Sequence, residues 1–77
     1  MSAQNFEILD VRKILEAGEE PFLQIRERVD ALGADEGLTV LAPFLPAPLI
    51  EMLKSEGFVV AAERQGDGSW SVNFTRD

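Results

Sequence analysis

Apolar positions recur along the chain first at strand spacing and then at helix spacing, and this succession repeats. Residues 6–11 are a short run of apolar and acidic residues after polar Gln4 and Asn5, with the length and character of a β-strand. Residues 12–18 hold Ile14 and Leu15, enough for a helical turn, but the stretch is short and runs into Gly18-Glu19-Glu20-Pro21, so it reads as a connector. From Pro21 onward Phe22, Ile25, Val29 and Leu32 fall at helical spacing, with Arg26, Glu27, Arg28 and Asp30 on the other side. Pro21 suits the first turn of this amphipathic helix because a missing N–H costs nothing there. Glu19 and Glu20 favour its positive end, and Gly33 can supply a left-handed C′ residue.

Residues 38–42 come after a polar Asp35-Glu36-Gly37 turn and contain Thr39, Val40 and Leu41, which predicts a second strand at the centre of a sheet. Pro43, Pro46 and Pro48 punctuate the next stretch, so a second helix is expected to start near Pro48. Leu49, Ile50 and Leu53 form its apolar stripe and Gly57 its stop. Residues 58–65 read as a third strand and Gly66-Asp67-Gly68 as a hairpin turn. Beyond it Trp70, Val72 and Phe74 alternate with Ser71, Asn73 and Thr75, so this last strand has one buried and one polar face. The expected fold is a two-layer α/β (α+β) sandwich in the order β-α-β-α-β-β, a four-stranded mixed sheet with two helices on one face. Trp70, Val72 and Phe74 should face the helices, and Phe22, Ile25, Val29, Leu53 and Trp70 should supply much of the core.

Composition narrows the function more than the fold. At 77 residues, 45% apolar and 27% charged, the chain is expected to form a single globular domain over residues 1–77. Fourteen acidic against seven basic residues give a net charge of −7, which opposes binding to nucleic acid and to anionic membranes. Residues 1–5 are polar and no apolar stretch approaches membrane-spanning length, so a cytoplasmic location is expected. Without Cys or His, the chain has no thiol nucleophile, zinc-finger ligand set or imidazole acid/base. No enzymatic activity and no cofactor or metal are expected. Asp35 and Glu36 are too few oxygen ligands for a calcium site and read as a solvated turn.

One family resemblance is carried by particular residues. Leu9-Asp10-Val11-Arg12, a connector, Glu20-Pro21 opening a helix, then Leu32-Gly33 and a strand after Gly37 together resemble the TusA/SirA-like sulfur-carrier superfamily over nearly the whole chain. In the sulfur carriers a Leu-Asp-x-Arg strand leads into Cys-Pro-x-Pro at a helix N-terminus, and the Cys carries a persulfide. Aligning the last proline of that motif on Pro21 puts Gly18 at the Cys and Glu19 at the first Pro, so the chemistry of the motif is lost. The connector is also longer than is usual in the carriers. Closer still is the likeness to Cys-less, TusA-like bacterial domains of unknown function, which carry His-Asp-Pro-x-Pro-Leu at the start of the second helix. Here that stretch is Phe44-Leu45-Pro46-Ala47-Pro48-Leu49, with the prolines and leucine kept and the polar pair replaced. The resemblance implies strand order 1-2-4-3, the fourth strand antiparallel to the rest, and a setting near redox or respiratory metabolism.

Topology singles out one edge. Both helices are expected to begin beyond the C-terminal ends of parallel strands, where open α/β sheets place their sites. That makes Glu19, Glu20, Pro21, Phe44, Leu45 and Pro46 the candidate partner surface. The structural alternative is that the glutamates satisfy the first helix, the prolines shape the start of the second, and Phe44 covers the core edge. Asp10 and Arg12 read as an ion pair fixing the connector. Two functions are compatible with these features: a non-catalytic binding or regulatory module for an unidentified protein partner, or a sulfur-relay accessory or small-molecule-binding domain that has lost the persulfide Cys. The polar sheet face of Ser71, Asn73 and Thr75 is the next surface a partner could use.

Overall fold

Alternation along the last strand orients the sheet. Val72 and Phe74 are fully buried on one face while Ser71, Asn73 and Thr75 sit half-exposed on the other. The computed structural model describes residues 5–33 and 35–76. Its elements run β1 (Asn5–Asp10), α1 (Val11–Glu16), α2 (Phe22–Asp30), β2 (Glu36–Ala42), α3 (Ala47–Ser55), β3 (Phe58–Arg64) and β4 (Trp70–Arg76). The sheet has the order β1-β2-β4-β3. β1 and β2 are parallel, and β4 is antiparallel to both β2 and β3. The expected two-layer α+β architecture and mixed sheet are present.

Register aligns the buried positions across the strands: Leu38 lies opposite Phe74, which lies opposite Val60, and Leu9, Val40 and Val72 form the next row. Ile25 and Val29 of α2 and Leu49 and Leu53 of α3 close over these rows in one continuous core. Arg26 holds the two helices side by side. Its guanidinium donates to both oxygens of Glu56 at 2.7 and 2.8 Å, and to Asp30 at 2.7 and 3.3 Å. Glu7 on the inward face of β1 pairs with Arg28 of α2 and ties that helix to the sheet edge.

Several sequence expectations need correction. Residues 12–18 are not a plain connector, because α1 occupies most of them. Asp10 ends β1 and caps α1, its carboxylate accepting the Arg12 N–H at 3.0 Å. Gly18, at φ +77°, stops the helix: its N–H donates to the Leu15 carbonyl at 3.0 Å and the next N–H, from Glu19, to Ile14 at 3.1 Å. These crossed bonds are a Schellman motif. The strand expected at residues 6–11 accordingly ends one residue earlier, and Val11 is instead the buried first residue of α1. Pro21 is the N-cap of α2 and lies just outside its first turn. Gly33 is not its left-handed stop; its N–H donates to the Glu36 carboxylate at 2.6 Å. Phe22, the first residue of α2, belongs to the surface, being 43% exposed. Trp70 is half-buried and packs against the core from its rim. Gly57 does stop α3, at φ +95°.

Candidate functional site

The chain turns upward three times at the same edge of the sheet, into α1, into α2 and into α3, and an apolar cleft of about 400 Å³ lies among these turns. Val40 and Ala42 at the end of β2 form its floor. Val11 and Leu15 of α1 make one wall, Pro21, Phe22 and Ile25 of α2 a second, and Pro48, Leu49 and Met52 of α3 a third. Phe44 and Pro46, in the loop before α3, complete the rim. Phe44 is 57% exposed, so it does not serve as a lid on the core.

The candidate edge residues separate on this geometry. Glu20, Pro21, Phe44 and Pro46 line the cleft together. Glu19 and Leu45 are exposed beside it without lining it. Leu15, Phe22 and Met52 are lining residues that sequence reasoning misses. Leu15 is hidden in what reads as a connector, the helical spacing of Phe22 points to the core, and Met52 flanks the apolar stripe. The signal for Leu15 is present in Asp10 and Gly18, which bracket it as cap and stop.

Among the described residues Glu20 is the single ionisable one that lines the cleft. One of its oxygens, Oε1, accepts the Phe22 N–H at 2.7 Å and so supplies the side-chain cap that Pro21 lacks. No hydrogen bond or ion pair among the described residues engages Oε2. Beside the cleft, Arg12 grips Asp10 through Nε and Nη2 at 2.9 and 3.0 Å, which is the ion pair expected from sequence. Its Nη1 lies 3.7 Å from Asp67, in the β3–β4 turn. The Arg12 hydrogen bonds hold the Asp10 carboxyl below its ordinary value. At Asp67 the Ser69 hydroxyl, at 2.6 Å, does the same. Among the described residues no group of three or more acidic side chains is placed to hold a metal ion. Glu36 and Gly37 begin β2 rather than belonging to the expected Asp35-Glu36-Gly37 turn, and the Glu36 carboxylate is engaged by the Gly33 N–H.

The span that builds this edge also carries the family assignment. The chain matches, over residues 8–76, the family described as an uncharacterized conserved protein, DUF2249. It belongs to that family. No curated protein and no solved structure matches it. Every residue that lines the cleft falls within the DUF2249 match, as do the sheet and both long helices apart from the first residues of β1. In this DUF2249 chain Gly18 is the stop of α1, in a left-handed conformation that side chains disfavour. No helix among the described residues is long and apolar enough to cross a membrane.

Proposed function

We propose that this DUF2249 chain is a non-catalytic binding or regulatory module of TusA-like fold, working in the bacterial cytoplasm near redox or respiratory metabolism. Its cleft receives apolar side chains from a segment of a protein partner that carries basic residues beside them. The observation that supports this reading most is the solvated Phe44 at the rim of an apolar cleft with no thiol, imidazole or hydroxyl among the described residues that line it. Apolar anchors surrounded by polar positions are how interfaces obtain affinity. Glu16, Glu19 and Glu20 are exposed at this edge, on a chain of net charge −7, which favours a basic partner.

A second reading rests on the size of the cleft. A volume of about 400 Å³ falls within the range of small-ligand sites, about 300–1,000 Å³. A small apolar molecule is therefore the alternative occupant. A sulfur-relay role has less support, since Gly18 offers no acceptor for sulfur and its backbone is set as a helix stop.

The test is a titration monitored by amide chemical shifts. The probe is a synthetic amphipathic peptide with leucine anchors flanked by lysines, compared with a version carrying glutamates in their place. The lysine peptide should shift the amides of Leu15, Phe22, Phe44 and Met52, weaken with salt, and lose affinity to Phe44→Asp once circular dichroism shows that variant folded. Binding elsewhere on the chain, or equal binding by Phe44→Asp, would remove the cleft as the docking site.

A further inference from the structure

Two helices of this chain open on a carboxylate used in the same way. Asp10 Oδ1 accepts the Arg12 N–H at 3.0 Å at the start of α1, and Glu20 Oε1 accepts the Phe22 N–H at 2.7 Å at the start of α2. Capping occupies part of a carboxylate and leaves it further lone pairs to fill. At Asp10 they are filled from within the chain. The Arg12 guanidinium donates through Nε to Oδ1 at 2.9 Å and through Nη2 to Oδ2 at 3.0 Å. At Glu20 no basic side chain among the described residues forms an ion pair. The molecule thus holds one capping carboxylate clasped by an arginine, and a second, on the cleft, without its cation.

The surroundings of Glu20 select the kind of cation. The described residues that line the cleft with it are apolar, and two of them, Phe22 and Phe44, carry aromatic rings that are 43% and 57% exposed. An ammonium is a compact, strongly hydrated charge, and a lining of this kind offers nothing to replace its water. A guanidinium is flat and weakly hydrated. Its face stacks on aromatic rings while its edge donates two parallel hydrogen bonds to a carboxylate. Both halves of that behaviour occur in this chain: Arg12 forks onto Asp10, and Arg76 stacks 4.9 Å from the centre of the Phe58 ring.

We propose that Glu20 is the residue by which the cleft selects its partner, and that it binds an arginine of the docking segment, with the guanidinium on its carboxylate and against the aromatic rings of the cleft. This rests on the docking reading above and adds to it which basic residue is recognised and where. Charge complementarity alone does not go so far. A general acidic field, to which exposed Glu16 and Glu19 also contribute, attracts lysine and arginine alike. A fork seated on one carboxylate separates them.

The test compares two peptides that differ at a single position, with leucine anchors beside one arginine or beside one lysine. Each is titrated into the wild type, Glu20→Gln and Glu19→Gln, and followed by amide chemical shifts, those of Leu15, Phe44 and Met52 marking the cleft. Glutamine keeps an oxygen for the Phe22 N–H, so α2 retains its cap while the charge is lost. The wild type should prefer the arginine peptide by about threefold or more. Glu20→Gln should bind that peptide about fivefold more weakly, the upper end of what an exposed ion pair contributes. It should also bind the two peptides alike, whereas Glu19→Gln should keep the preference for arginine. Equal binding of both peptides by the wild type, or a preference for arginine that survives in folded Glu20→Gln, would overturn the inference and leave the cleft as a docking site. Failure of both peptides to bind, or shifts confined to other parts of the chain, would overturn the docking reading itself and this inference with it.

Discussion

Asp10 has three roles at one carboxylate: it ends β1, caps α1, and holds Arg12 bidentately within reach of the β3–β4 turn. Loss of an N-cap usually costs about 0.5–2 kcal/mol, and Asp10→Ala should fall in that range by chemical denaturation. Asp10→Asn retains an acceptor for the Arg12 N–H but gives up the charged pair, so it should lose less. The direction of the shift fixes the sign with pH. Arg12 lowers the folded pKa of Asp10, Arg26 lowers those of Asp30 and Glu56, and Ser69 lowers that of Asp67. Each contribution is present above the ordinary carboxylate range of about 4 and is lost as pH falls through the lowered folded value. Acid titration should therefore show stability declining below about pH 4, with Asp10→Asn losing less over that window than the wild type. An equal acid decline in both proteins would show that Asp10 contributes nothing to it.

At the scale of elements, the difference between what is legible in the sequence and what is not lies in length. α2 and α3 repeat their apolar spacing for long enough to be seen, and β4 alternates through Trp70, Val72 and Phe74, so these elements and their order are readable. α1 has only six residues, too few for periodicity to show and too few to be stable by propensity alone. Its cap and its stop define it, and those are single-residue signals that become meaningful only together. The same short helix carries Leu15 to the cleft wall, so to miss the helix is to miss part of the site. Gly18 is the sharpest test of this element. A Cβ there meets nothing within 4 Å, so only the left-handed backbone at φ +77° resists a side chain. Gly18→Ala should then cost about 1–2 kcal/mol by denaturant midpoint. Gly66→Ala, which has equally open surroundings and no left-handed φ, should cost much less. Equal losses at the two glycines would remove the stop from α1.

At the scale of the whole molecule, aromatic residues mark which surfaces are interior and which are left for use. Phe74 is fully buried between the sheet and the helices, Phe22 and Phe44 stand at the cleft, and Phe6 lies on the uncovered face. Hydrophobic patterning alone does not distinguish these settings, since Phe22 continues the helical stripe of Ile25 and Val29 as regularly as a core residue would. What separates them is place along α2: Ile25 and Val29 are buried in the core, whereas Phe22 opens the helix and lines the cleft. Stability and binding should therefore respond to different phenylalanines. Phe74→Ala empties a site with no solvent contact and should cost about 3–5 kcal/mol. That is a large share of the roughly 5–15 kcal/mol by which domains are stable, and it brings so small a chain to the edge of unfolding. Phe22→Ala and Phe44→Ala remove rings that water already reaches, and each should shift the denaturation midpoint far less while weakening the lysine-flanked peptide. If Phe44→Ala instead destabilises the fold as severely as Phe74→Ala, its ring belongs to the core and the cleft loses its principal anchor.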